Sequence, residues 1–419
     1  MKNHKRFFSV FLILLAALIP ELADATNYAG TVIDDATRQP IEGAFVTLGD
    51  TVMRTDQNGK FQIDATGDKL GVRAYGHWRS EVATGTLANG TAIALTPFIP
   101  KALYLSFYGI GDKHLRESAL DLIKDTEANA LVIDLKGDRG WVAFKSSTPL
   151  AAEVGAQKII TIKNLHALVD DLHAKGVYAI ARIVVFKDEP LASALPDLAI
   201  KTMDGAIWKD REGLSWPNPF NKSVWDYNID LAVESAQAGF DEIQFDYVRF
   251  PDATGLVYPM PNTEENRVGA ISGFLAEARK KLIPYNVFLA ADIFGYVAWN
   301  TDDTHIGQKL ENLAEVLDYM SFMLYPSGFQ FGIPGYLNPI LHPREIVYLS
   351  LEKAKQRSGL PAVRFRPWLQ AFRDYAFDKM PFQSEQIRAQ IDAADSFGGD
   401  GWMLWNPHNI YGDGLRAKH

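Results

Sequence analysis

From residue 101 onward the chain alternates strand-like and helix-like segments, and that alternation constrains the fold more than any other feature. The strand candidates are residues 102–108, 130–136, 178–186, 242–249, 287–294, 319–325, 365–372 and 401–405, rich in the aliphatic and aromatic residues that suit a pleated, buried surface. Runs at 115–125, 162–175, 224–238, 263–282, 306–317, 344–357 and 384–396 instead repeat apolar residues at helical spacing. A strand followed by an amphipathic helix buries both elements only when strands pair side by side and helices cover them. Eight such units in roughly 310 residues predict a (β/α)8 TIM barrel. Active sites of such barrels lie at the carboxyl ends of the strands, so polar residues there become the candidates.

The fourth segment is the most informative. Residues 239–251 read GFDEIQFDYVRFP, a strand that ends in Asp246, Tyr247 and Arg249. The other strand ends offer Asp134, Lys136 and Asp138 (second), Arg182, Lys187 and Asp188 (third), Asp292 (fifth), Tyr325 (sixth), Gln370 and Arg373 (seventh), and Asn406 and His408 (eighth). Glycoside hydrolysis needs two carboxyl groups, one kept protonated for the leaving oxygen and one ionised as nucleophile or base. Asp246 and Asp292 sit on neighbouring strands and form the best pair, with Asp134 as the next candidate for the acid.

Tryptophan placement agrees with a sugar. Of nine tryptophans, only Trp78 precedes the barrel, and Trp141, Trp208, Trp216, Trp299, Trp368 and Trp405 fall in or beside the loops that follow strands. Flat rings stack on pyranose faces while polar neighbours bond the hydroxyls. The candidates for substrate binding are therefore Lys136, Arg182, Arg249, Tyr325, Trp368, Gln370, Trp405 and Asn406, with Trp208 and Trp216 on a long insertion at 191–221 that reads as a lid over the mouth.

Composition excludes several alternatives. The net charge of −9 without long basic runs argues against nucleic acid as partner. Zero cysteines exclude disulfides and thiolate chemistry, and the nine histidines form no HExxH, so neither a cofactor nor a metal is expected. Metal-dependent hydrolysis on Asp134, Asp138 and Asp246 is the weaker alternative, since no histidine joins them.

The chain opens with Lys2, His4, Lys5 and Arg6, an apolar stretch at 7–19 and Ala23-Asp24-Ala25. That pattern predicts a cleaved export leader at 1–25, a bacterial periplasmic or extracellular protein, and no membrane span in the mature chain. Residues 26–98 differ again: short alternating strands at 28–33, 44–48, 52–55 and 60–63 separated by turn residues predict a small all-β sandwich. It carries no paired acids, so the barrel at 99–419 is expected to stand and work without it.

Two resemblances follow from these residues. GTVIDDATRQPIEGAFVTLGD and RTDQNGKFQI, with Gly30, Pro40, Gly43, Ala44, Asp56 and Gly59, resemble the carboxypeptidase regulatory-like domain, a transthyretin-like sandwich. The runs VIDLKGDRG, ARIVVFKD, GFDEIQFDYVRFP, AADIFG, LDYMSFMLYPS, RPWLQAF and GWMLWNP resemble a family of exported glycoside hydrolases distantly similar to the α-amylases. The resemblance implies an oligosaccharide or polysaccharide substrate and a fourth-strand aspartate nucleophile, here Asp246. The fifth-strand acid of α-amylases is glutamate, and this chain has Asp292. A chitinase-type alignment fails, because its general-acid glutamate falls on Val248, which transfers no proton. The rival from another class is a glycan-binding or envelope-scaffold protein whose barrel has lost turnover.

Overall fold

The computed structural model describes residues 26–88, 90–412 and 414–418; the expected leader at 1–25 lies outside them. Among the described residues no helix is long and apolar enough to cross a membrane.

The amino-terminal region has seven strands in two sheets. Thr26–Asp34 pairs with Lys60–Ala65 and Thr91–Leu95, while Phe45–Leu48 lies between Thr51–Arg54 and Lys69–Arg73, with Ser80–Ala83 beyond. Side chains of Lys60–Ala65 alternate outward and inward, which places Phe61 and Ile63 beside Val32, Val46, Leu70 and Ile93 in the core. The turn at 56–59 forms as its residues dictate. Asp56 Oδ1 accepts from Asn58 N and Lys60 N, both at 2.8 Å, and Gly59 adopts φ +70° where a Cβ would meet Val32 O at 2.4 Å.

The remainder is a closed barrel of eight parallel strands wrapped by helices: Lys101–Leu105, Ala130–Lys136, Tyr178–Val184, Glu242–Asp246, Phe288–Phe294, Tyr319–Met323, Trp368–Gln370 and Trp402–Trp405, each paired to the next and the eighth to the first. All eight expected strands are present; only Ala130–Lys136 runs its full expected length, and for two of the shorter ones the cause is local. The fourth stops at Asp246 because Tyr247 turns to φ 47°, a left-handed conformation that ends the pleat. The seventh begins only at Trp368, since Pro367 before it has no N–H to give a ladder.

Period-two geometry sorts the fourth strand into two faces. Ile243 and Phe245 face the helices with the large outer core, whereas Glu242, Gln244 and Asp246 point into the barrel at three heights. At mid-height Gln244 Nε2 donates to Ser321 Oγ at 3.1 Å among Ala102, Val132 and Ile180.

The sandwich closes the floor of the barrel. Tyr75 stacks on Phe288 at 5.8 Å and meets the edge of Tyr319 at 5.4 Å, and Trp78 packs on Phe98 and Tyr178. Arg79 Nε donates to Asp241 Oδ1 at 3.0 Å and its Nη2 to Gly239 O at 2.6 Å. The approach is tight: a Cβ on Gly71 would meet Asn286 at 2.6 Å. Apolar residues of both regions form common clusters at the seam.

Candidate active site

Arg182, on the third strand, organises the mouth. Its Nη1 donates to Asp134, its Nε to Asp246 Oδ2 at 3.1 Å with Nη2 on the same carboxylate, and its Nη2 also to Asp138 Oδ1 at 3.0 Å. Asp292 Oδ2 lies 3.6 Å from the same Nε. One guanidinium thus gathers four carboxylates from three strands and one loop, using the planar donor fork that lysine lacks. Its flat face lies 4.8 Å over Trp405, whose ring stacks on Tyr104 at 3.9 Å.

The carboxylates differ in surroundings. Asp292 is 2% exposed and accepts Trp368 Nε1 at 2.6 Å. Burial first, then the adjacent charge of Asp246, pushes its pKa well up; Arg182 and the indole N–H only partly oppose this, and a hydrogen bond to Asp246 adds to the rise. Asp134 accepts Tyr104 Oη at 2.6 Å and Phe107 N at 3.2 Å, and burial raises it to about 6 despite Arg182. Asp246 is 6% exposed and opens onto the cavity, and its Oδ1 accepts Tyr247 N at 2.5 Å.

Two backbone features shape the rim. Tyr247 in the left-handed region aims the chain away from the strand axis, and its ring packs at 5.5 Å on Trp216 with Arg249 5.3 Å from its centre. Thr304 and His305 are left-handed at φ 56° and 58° in the loop after the fifth strand. Asp303 holds that loop: it pairs with Arg267 at 2.6 and 2.9 Å and accepts His305 N and Gly307 N. Strain of this kind persists only where surroundings enforce it.

The mouth is a cavity of about 590 Å³ lined by Arg182, Asp246, Asp292, Arg249, Tyr325 and Trp405, among others. A second cavity of about 220 Å³, lined by Asp134, Phe107, Tyr108 and Trp141, shares Asp138, Trp405 and Pro407 with the first. The two are lobes of one cleft.

Six sequence candidates for substrate contact lie elsewhere. Lys136 is buried and paired with Asp188 at 2.6 Å and Asn228 at 2.8 Å behind the strand wall. Trp368 lies under Asp292, and Gln370 bonds Ser327 Oγ and Phe372 O. Asn406 donates to Ala371 O and Ile410 O and lines a separate cavity. Trp216 is buried with its Nε1 on Asp210 at 2.9 Å, and Trp208 packs at 6.0 Å on it; neither lines the cleft. The insertion folds on itself through bridges of Ala199 to Pro217, Lys201 to Ile207 and Lys209 to Ser215, so its tryptophans pack on each other within it. Sequence reasoning missed Asp252, Ile306, Phe372 and Tyr375, which line the larger lobe from loops, and Phe294 at the end of the fifth strand. Loops carry no periodicity, and an acid or an aromatic ring just past a strand was the sole available signal.

Residues 102–411 match a family described as "Putative glycosyl hydrolase domain". The chain belongs to this family. No curated protein matches the sequence of this family member. Among solved structures it is similar to the PgaB (BpsB) glycoside hydrolase domain of Bordetella bronchiseptica, at 17% identity over 74% of this chain and 95% of that one, with TM-score 0.55. It is also similar to a β-galactosidase of Marinomonas ef1, at 10% identity over 74% of this chain and 54% of that one, with TM-score 0.53. A hypothetical protein of Ruminiclostridium thermocellum shares 38% identity over 45% of this chain and 96% of that one, with TM-score 0.41. Family and fold together support a glycosidase-type hydrolase acting on carbohydrate.

Proposed function

We propose that the barrel hydrolyses O-glycosidic bonds of an oligosaccharide or polysaccharide, with Asp246 as nucleophile and Asp292 as acid/base. The observation that carries this is the shared Arg182 Nε, which brings a buried carboxyl of raised pKa beside one that opens onto the cleft. Asp292 keeps its proton to deliver to the leaving oxygen as that bond breaks, while Asp246 bonds the anomeric carbon. Water then displaces Asp246, giving one proton back to Asp292. Carboxyls this close leave little room for a water between them, which favours retention of configuration over inversion.

Arg182 orients Asp246, and Arg249, Tyr325 and Trp405 contact sugar. The smaller lobe, with Tyr108 55% exposed beside Trp141, extends the cleft past Trp405. That continuity supports a chain of sugars as substrate rather than a single ring. We further propose an exported enzyme with a carboxypeptidase regulatory-like sandwich, supported by the residue pattern at 1–25 and by the quoted turn and strand motifs.

The test is reducing-end release from a panel of envelope and plant polysaccharides by the purified protein, with Asp246→Asn as the blank. Release by wild type alone, with product anomers assigned by NMR, is the expected outcome. Equal release by the blank overturns the assignment, and binding without release indicates the glycan-binding rival.

A further inference from the structure

The seam between sandwich and barrel holds a cluster of guanidinium groups that the hydrolytic reading does not use. Arg73, at the end of Lys69–Arg73, is 5% exposed, and among the described residues its side-chain hydrogen bonds go to neutral partners. Its Nη1 makes two long hydrogen bonds, to Thr47 Oγ1 at 3.4 Å and Asn286 Oδ1 at 3.3 Å, and its Nε has no partner. The guanidinium lies 4.3 Å over Phe45 and 5.5 Å over Phe288, contacts that temper a buried charge without neutralising it.

The neighbours add to the imbalance. Arg54 lies 4.0 Å over Phe45, and Arg364 directs donors to the carbonyls of Leu317 and Asp318. Asp318 attracts Arg73, but Arg279 and Arg54 repel it. Both oxygens of Asp318 are already engaged, one by Arg279 Nη2 at 3.0 Å and the other by Leu289 N at 2.9 Å. Arg54 is exposed and Arg364 serves backbone carbonyls, so at the seam itself Arg73 and Arg279 meet one committed carboxylate.

A cavity of about 50 Å³ opens at this point, lined by Arg73, Arg279 and Asp318 with Phe45, Leu282 and Leu289. A buried donor without a partner beside a cavity signals an occupant, either water or an ion. The excess of positive charge selects an anion. The small volume suits a monatomic one better than a tetrahedral oxyanion, and the apolar walls suit a weakly hydrated halide.

We propose that this junction binds a halide of the chloride class between Arg73 and Arg279, and that the bound anion joins the sandwich to the barrel floor. An anion that binds the folded state alone raises the melting temperature by mass action. The test is thermal unfolding of the whole protein in sodium chloride, bromide or gluconate at one ionic strength. Chloride and bromide should give a saturable rise of about 2 °C over gluconate, whose anion exceeds the cavity. Arg73→Gln should abolish the increment, and Arg38→Gln, on the sandwich surface, should keep it. Equal melting of the wild type in all three salts overturns the proposal, as does an increment that survives in Arg73→Gln. Should Arg73→Gln not fold, bromide-soaked wild-type crystals decide: an anomalous peak between Arg73 and Arg279 supports the site, and its absence refutes it.

Discussion

The barrel holds two arginine-centred networks at opposite ends, and both draw on the same strand. At the floor, Arg366 pairs with Glu242 and with Asp400 at 3.1 Å, while Tyr178 Oη donates to Glu242 at 3.3 Å. At the mouth, Arg182 pairs with Asp134, Asp138 and Asp246. Glu242 and Asp246 are four residues apart and point the same way. Access separates them. The charged floor side chains are at most 1% exposed beneath the sandwich, whereas Asp138 is 39% exposed and Asp246 opens onto the cleft. Identical pairing chemistry serves cohesion where it is sealed and becomes available for reaction where a cavity adjoins it, so a perturbed carboxylate alone does not mark an active site.

The largest expected effect separates the two ends directly. Asp246→Asn should lower turnover by about 10³-fold or more while leaving thermal unfolding nearly unchanged. Glu242→Gln should cost about 3 kcal/mol of stability, because it breaks a buried pair, with turnover per folded molecule preserved. Exchange of these phenotypes, read by paired activity and calorimetric assays, would reverse the assignment of the two ends.

Asp292→Asn comes next. It should lower hydrolysis of natural glycosides by about 10²-fold or more, yet spare aryl glycosides whose leaving groups need little protonation. Equal loss on both would move the acid role to Asp134. In the wild type, activity should fall as pH rises through the raised pKa of Asp292, since the acid must carry its proton.

Asp134 tests the mouth network through stability. Its folded pKa of about 6 exceeds the unfolded 3.8, so between these values the folded state holds more protons and stability falls as pH rises. The loss amounts to about 3 kcal/mol, and Asp134→Asn should flatten that part of the wild-type profile in denaturant melts. An unchanged slope would mean that Asp134 stays ionised throughout.

The smallest contrast concerns two tryptophans. Trp216→Ala should cost about 3 to 5 kcal/mol of stability with substrate affinity intact in the folded fraction. Trp141→Ala should instead weaken saccharide binding by about tenfold with little change in melting, as titration calorimetry would report. A stable Trp216→Ala with weakened binding would restore the insertion as a lid.

Much of the barrel was legible because periodicity is a local property. The eight strands follow from spacing alone, whereas the inward face of Glu242 and Gln244 came with the structure. Asp134, Arg182, Asp246, Asp292, Arg249, Tyr325 and Trp405 could be collected because each sits at or just past a strand end, and the structure brings all of them to the cleft. Lys136, Gln370 and Asn406 meet the same criterion, yet each finds partners that hold it away from the cavity. Position along a strand fixes height in the barrel and says nothing of competing hydrogen bonds. For Trp208 and Trp216 the signal failed because an insertion can bury its own rings.

What the sequence determined by itself is therefore the repeating unit, its closure into a barrel, the separate sandwich ahead of it, and a fourth-strand acid at the mouth. These depend on periods of two and 3.6 and on side-chain chemistry, which neighbours in the chain specify. Only the tertiary structure decided that one arginine gathers four carboxylates, that Trp368 holds Asp292 from below, and that the sandwich seals the floor rather than hanging free. Those facts are distances between residues far apart in sequence, and they exist only once closure of the ring brings the strands to a common axis.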